Sequence, residues 1–270
     1  MQEIIKRRWW YTLCRVLLFC LSCAVILAVS SGYTKELSKP WPTIITASCS
    51  VVGALGVTLL FARWERLKLS DTGVVPGKRS ALHFAAGFII GLFLVVLQIS
   101  LLLITGHIKL ARTTGINIDS ILISLIIYLL LAGREELAFR GYPLQSLNRT
   151  IGLWGAQIIV ALIFVAEHVI GGMIWWQALL GAGTGSILFG MVAITTRGLA
   201  TTIGLHAAWN FGQWIFGFKE GAGIWHTIVD KGYNFRVELA GMITYLLVID
   251  SAIIAFYYYG RKQKIIAINR

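Results

Sequence analysis

Eight apolar runs, each close to the length that crosses a bilayer, constrain this chain more than any other feature of its sequence. They cover residues 11–31, 41–62, 80–105, 116–139, 151–170, 173–195, 198–218 and 239–260. A run of about 20 apolar residues makes a helix of roughly 30 Å, which matches the hydrocarbon core of a membrane. In lipid a backbone must satisfy its own polar groups, so such runs fold as helices. Composition agrees: 57% of residues are hydrophobic and 13% charged, and mean hydropathy is +0.76. The expected fold is therefore all-α, a polytopic membrane bundle of about eight transmembrane helices. It forms a single integral membrane domain over residues 1–270, with no linker long enough to divide it. A basic start followed by an apolar run resembles a signal peptide, but the run exceeds the usual cleaved segment and is expected to stay as the first span.

The net charge of +12 does not point to nucleic acid. The cations sit in short clusters at the ends of apolar runs, as at Lys6 to Arg8 and Arg261 to Lys264, with no basic face interleaved with stacking aromatics. Their distribution orients the bundle instead. Three Lys and Arg precede the first span, five lie between Arg63 and Arg79, and four follow the last span. The alternate loops carry fewer each: Lys35 and Lys39, then Lys109 and Arg112, then Lys219, Lys231 and Arg236. Cytoplasmic loops are enriched in Lys and Arg, which places both termini in the cytoplasm. The four cysteines, Cys14, Cys20, Cys23 and Cys49, fall in the first two runs and read as small packing residues.

The fourth run breaks the apolar pattern. The stretch LLLAGREELAFRGYPL holds Arg134, Glu135, Glu136 and Arg140, and charges within a span mark functional sites more often than packing. On a helix, positions i and i+4 lie about 40° apart and i and i+1 about 100° apart. Glu136 and Arg140 therefore share a face and can pair. Glu135 is expected to remain without a local counter-charge and to face a cavity. The other reading puts all four charges at the headgroup level, with Gly133 and Pro143 marking the end of the span.

Two further constellations weigh against that simpler reading. FVAEH places Phe164 and His168 one turn apart, and HAAWN places His206 and Asn210 one turn apart. A carboxylate, two imidazoles and an amide from separate helices of one bundle form the kind of set that catalysis uses. The midpoint between Glu135 and His168 falls at Arg149 to Gly152, a suitable turn between antiparallel helices that would bring the two to one depth. Straight helices would leave His206 on the order of 15 Å from that depth. Tilt, an early end to the fifth span, or a break in the sixth at Gly181, Gly183, Gly185 or Gly190 must make up the difference.

In this order, Glu135-Glu136-xxx-Arg140, Phe164-xxx-His168 and His206-xxx-Asn210 resemble the three signature motifs of the CPBP family, the intramembrane proteases related to type II CAAX prenyl endopeptidases, also called the Abi family. The resemblance covers roughly residues 121–216, the expected catalytic core. It implies a protease whose site is sunk in the membrane. By the family pattern Glu135 acts as general base on a water, assisted by His168, while His206 and Asn210 stabilise the oxyanion. Glu136 with Arg140 supports the helix, and Phe164 accompanies the second motif. Donors of this kind gain strength in a dry cavity. A glutamate and two histidines are also the ligand set of many catalytic zinc sites. Were a divalent metal such as zinc present, Glu135, His168 and His206 would hold it. No HExxH forces that choice, and water activation without an obligatory zinc is favoured. The implied partners are the lipid bilayer and a peptide or protein substrate, lipidated or not. Glu167 and Asp250 stay outside this site. Two competing readings are a non-catalytic immunity or scaffold protein of the same fold and a small-solute transporter. Against them, no signature motif has lost a polar residue, and the polar residues concentrate in three spans instead of tracing a path across many.

Overall fold

A computed structural model describes residues 9–219 and 223–268; Lys6 to Arg8 and Arg270, used above for orientation, lie outside the described residues. The chain is a bundle of long helices. Helix α1 (Trp9–Thr34) and α2 (Trp41–Glu65) form an antiparallel pair, followed by α3 (Ser80–Ile104). Then come α4 (Ile118–Glu136), a π-helical turn (Leu137–Gly141) and α5 (Tyr142–Ile170). The sixth segment begins as the short α6 (Trp175–Gln177), passes through a second π-turn (Ala178–Gly183) and ends as α7 (Thr184–Thr196). Helix α8 (Ala200–Ile215) and the long α9 (Asn234–Ile268) complete the bundle.

Six helical stretches among the described residues are long and apolar enough to span a membrane. With α8, whose 16 residues fall short of that length, they make seven helical runs where about eight were expected. The difference lies in the fourth and fifth expected spans, which run together as Ile118–Ile170. Gly152 interrupts that run at φ 79° and ψ 173°, a region open essentially to glycine alone. A continuous helix would separate Arg134 from Glu167 by about 50 Å, yet their side chains pair at 3.1 Å. The chain therefore doubles back between them, at the turn that their spacing predicts.

One feature was not expected from the sequence. Strands β1 (Ile108–Arg112) and β2 (Trp225–Val229) pair antiparallel, Ile108 opposite Val229 and Arg112 opposite Trp225. They tie the α3–α4 connection to the α8–α9 connection. Alternation holds only from Ile108 to Leu110 before Ala111 breaks it, short of the four positions that mark a strand.

Close helix approach fixes the part of the bundle that carries the site. Without a hydrophobic drive between helices in lipid, small residues that let backbones meet supply the packing. Helices α3 and α8 run parallel, with Gly87 against Thr201 and Gly91, four residues on, against Leu205. A Cβ at Gly87 would collide with the Thr201 carbonyl oxygen. This contact sets the depth of His206, which follows Leu205. The cysteines are all free thiols, and Cys20 and Cys23 pack against the inner apolar core.

Candidate active site

The charged quartet is delivered where α4 gives way to its π-turn, a wider i→i+5 turn that recurs at functional sites. Glu136 and Arg140 are both fully buried, with Arg140 Nη1 at 3.5 Å from Glu136 Oε1. Arg140 Nη2 donates to the Ser186 carbonyl at 3.3 Å. Its guanidinium lies 4.6 Å from the Phe164 ring centroid and 5.4 Å from that of Phe189. Rings present a negative face, so a buried guanidinium enclosed by them is stabilised on sides that offer no acceptor. Phe164, itself buried, meets Phe139 edge-on with centroids 5.0 Å apart.

His206 reaches the same point from α8. Its Nδ1 donates to Glu136 Oε1 at 2.7 Å, and its Nε2 lies 3.7 Å from Glu135 Oε2. The ring stacks on Phe189 with centroids 4.1 Å apart. One imidazole thus spans both glutamates of the first motif, joining residues 70 positions apart. Glu136 serves two partners, Arg140 and His206, where only the arginine was anticipated.

His168 sits near the end of α5. Its Nδ1 donates to the Phe164 carbonyl at 2.9 Å, which leaves Nε2 of the neutral ring with its lone pair. His206 reaches both Glu135 and Glu136, so α8 meets the end of α4 at one depth. Of the routes offered for this, the break in the sixth segment is present as the π-turn containing Gly181 and Gly183, whereas α5 ends at Ile170, where the fifth run was expected to end. Asn210 lies one turn beyond His206 on α8, half-buried, with no hydrogen bond among the described residues.

Two expectations need correction. Glu135 is not left without a counter-charge: Arg134 Nη2 lies 2.6 Å from its Oε1. Adjacent positions point about 100° apart, but the long arginine side chain curls back across that angle. Glu167, set aside from the site above, belongs to it, because Arg134 Nη1 lies 3.1 Å from its Oε1. Arg134 therefore clamps Glu135 of α4 to Glu167 of α5. Glu135 is 12% exposed and Glu167 30% exposed at the side chain, so this edge of the cluster is open to the outside of the bundle. Asp250 lies exposed on α9, away from it.

Three carboxylates, Glu135, Glu136 and Glu167, here face two guanidinium groups, Arg134 and Arg140. One added proton on the cluster balances the charge. As a metal site the arrangement fits poorly. Among the described residues no three His, Cys, Asp or Glu side chains gather to hold an ion. Of the three expected ligands, Glu135 is already bonded to a cation, whereas His168 and His206 each give Nδ1–H away and keep Nε2, as metal-bound histidines do.

Fold and cluster together define an all-α polytopic membrane protein with a cluster of carboxylates, guanidinium groups and an imidazole packed between its helices. Residues 117–212 match the family model described as type II CAAX prenyl endopeptidase Rce1-like. The matched stretch runs from the start of α4 into the last turn of α8 and contains every residue of the cluster. Among the curated proteins none matches the chain.

Proposed function

We propose that the protein is an intramembrane endopeptidase that hydrolyses a peptide bond with a water activated by Glu135. The observation that carries this reading is His206 set between Glu135 and Glu136, at 3.7 Å and 2.7 Å. Arg134 takes one oxygen of Glu135 and fixes the carboxylate in place, leaving Oε2 to accept a proton from water. His168, with Nδ1–H given to the Phe164 carbonyl, presents Nε2 as the second base. General bases of this kind contribute typically 10²–10⁴-fold.

The hydroxide adds to the scissile carbonyl, and negative charge develops on its oxygen. Asn210 offers an uncommitted amide N–H from the same face of α8 as His206. For His206 Nε2 to donate as well, the ring must carry both protons, and Glu136 on Nδ1 balances that charge. The proton gained by Glu135 then passes to the leaving amine. No step requires a metal ion. Both termini and the basic loop between α2 and α3 are assigned to the cytoplasmic face. The substrate is a peptide or protein segment at the membrane, lipidated or not.

The test is peptide cleavage in reconstituted vesicles with the wild-type chain and Glu135→Gln, before and after strong chelation. Wild-type cleavage that survives chelation, and a folded Glu135→Gln protein that has lost at least 10²-fold in rate, are expected. Full activity in the variant refutes the base assignment, and activity lost to chelation and restored by zinc refutes the metal-free route.

A further inference from the structure

A second site lies on the basic face of the bundle, away from the carboxylates. A cavity of about 530 Å³ opens between the start of α3 and the α7–α8 turn. Its walls carry Lys78, Arg79 and Arg197, and among the described residues no acid lines it. Among the described residues none of these three cations makes an ion pair, side-chain hydrogen bond or ring contact. The first turns of α3 and α8 open onto the same space, and neither is capped by a side chain. Three cations gathered without a counter-charge repel one another unless an anion joins them.

A groove of about 1000 Å³ adjoins this cavity and shares His83, Thr196, Arg197 and Thr201 with it. It runs between α3 and α9, where Ala86 and Ile90 face Phe256 and Tyr259, and none of its described lining residues is acidic. The flanking faces of both helices are apolar and exposed, with Leu82 at 66% and Ile254 at 56%, as expected of surface that meets lipid. A cationic hollow continuous with an apolar groove is shaped for an amphiphile that has an anionic head and a hydrocarbon tail.

We propose that the cavity and groove bind one anionic phospholipid. Its phosphate sits among Lys78, Arg79 and Arg197, and an acyl chain lies between α3 and α9. The basic loops assign this face to the cytoplasm, whose leaflet supplies anionic lipids. Arginine and lysine are the residues that bind phosphate, arginine through paired N–H donors. Leu137, the first residue of the π-turn after Glu136, also lines the cavity. The bound lipid would therefore touch the turn that directly follows Glu135 and Glu136 and carries Arg140. The site stands independently of the hydrolase reading.

The experiment is native mass spectrometry of the full chain in a neutral detergent, titrated with phosphatidylglycerol or with phosphatidylcholine. One phosphatidylglycerol retained with at least tenfold preference is expected. Lys78→Gln with Arg197→Gln should erase that preference. Arg63→Gln with Lys68→Gln, which removes two exposed cations from the same face, should preserve it. Ile90→Trp, which narrows the groove, should weaken lipid retention several-fold, and millimolar inorganic phosphate should not displace the lipid. Equal retention of the two lipids by the wild type overturns the proposal whether or not any variant folds. Equal loss in both cation pairs reduces the effect to general surface charge and also overturns it. Displacement by inorganic phosphate assigns the cavity to a free anion and overturns the lipid.

Discussion

Replacing Arg140 by methionine tests how the site is held together. The side chain is fully buried and 3.5 Å from an equally buried Glu136. It also donates to the Ser186 carbonyl and is enclosed by the rings of Phe139, Phe164 and Phe189. Removing one partner of a buried ion pair leaves the other charge uncompensated, which costs about 3–5 kcal/mol. At about 1.4 kcal/mol per decade, that is roughly two to three and a half orders of magnitude in the folding equilibrium. Methionine fills much of the volume, so the loss is chiefly electrostatic. Pairing Arg140→Met with Glu136→Gln removes the stranded charge, while the glutamine carbonyl can still accept from His206 Nδ1. The double variant should therefore recover about 1–3 kcal/mol relative to Arg140→Met. Equilibrium unfolding in mixed micelles, followed by tryptophan fluorescence and helical circular dichroism, measures all three proteins on one scale. An Arg140→Met protein as stable as wild type refutes this reasoning. So does a double variant no more stable than the single.

Two further outcomes follow from the same geometry. Gly152→Ala forces a Cβ into a backbone region that only glycine occupies easily and should destabilise the protein by about 1–3 kcal/mol, read as a lower unfolding midpoint. Glu167→Gln frees one arm of Arg134 from its clamp and should lower kcat about tenfold with little change in the unfolding midpoint. An unchanged kcat would mean that Glu167 does not position Arg134.

The parts of this molecule that were legible in the sequence are those governed by helical period and length. The Glu136–Arg140 pair follows from an i, i+4 spacing, and the reversal at Gly152 follows from equal arm lengths to Glu135 and His168. The clamp made by Arg134 was not legible. Helical angles place backbones, not the reach of a long side chain, and so Glu135 read as unpaired. Glu167 could have been recognised from one signal: it lies as far from Arg134 as His168 lies from Glu135, across the same turn. The second role of Glu136 depends on the depth of His206. That depth is set by the backbone contact of Gly87 and Gly91 with α8, a tertiary fact that no local pattern carries. The π-turns and the five-residue ribbon escaped for a similar reason, because each is a short departure from a regular period that its neighbours obscure.

The account rests on Glu135 and His206 acting as one unit across α4 and α8. A double-mutant cycle on kcat, with Glu135→Gln, His206→Ala and the pair, all reconstituted at equal density, measures that coupling directly. Groups that work together lose most of the rate on the first removal. The predicted result is a pair hardly slower than the slower single variant. Rate losses that multiply in the pair would show two independent side chains and would contradict a shared catalytic centre.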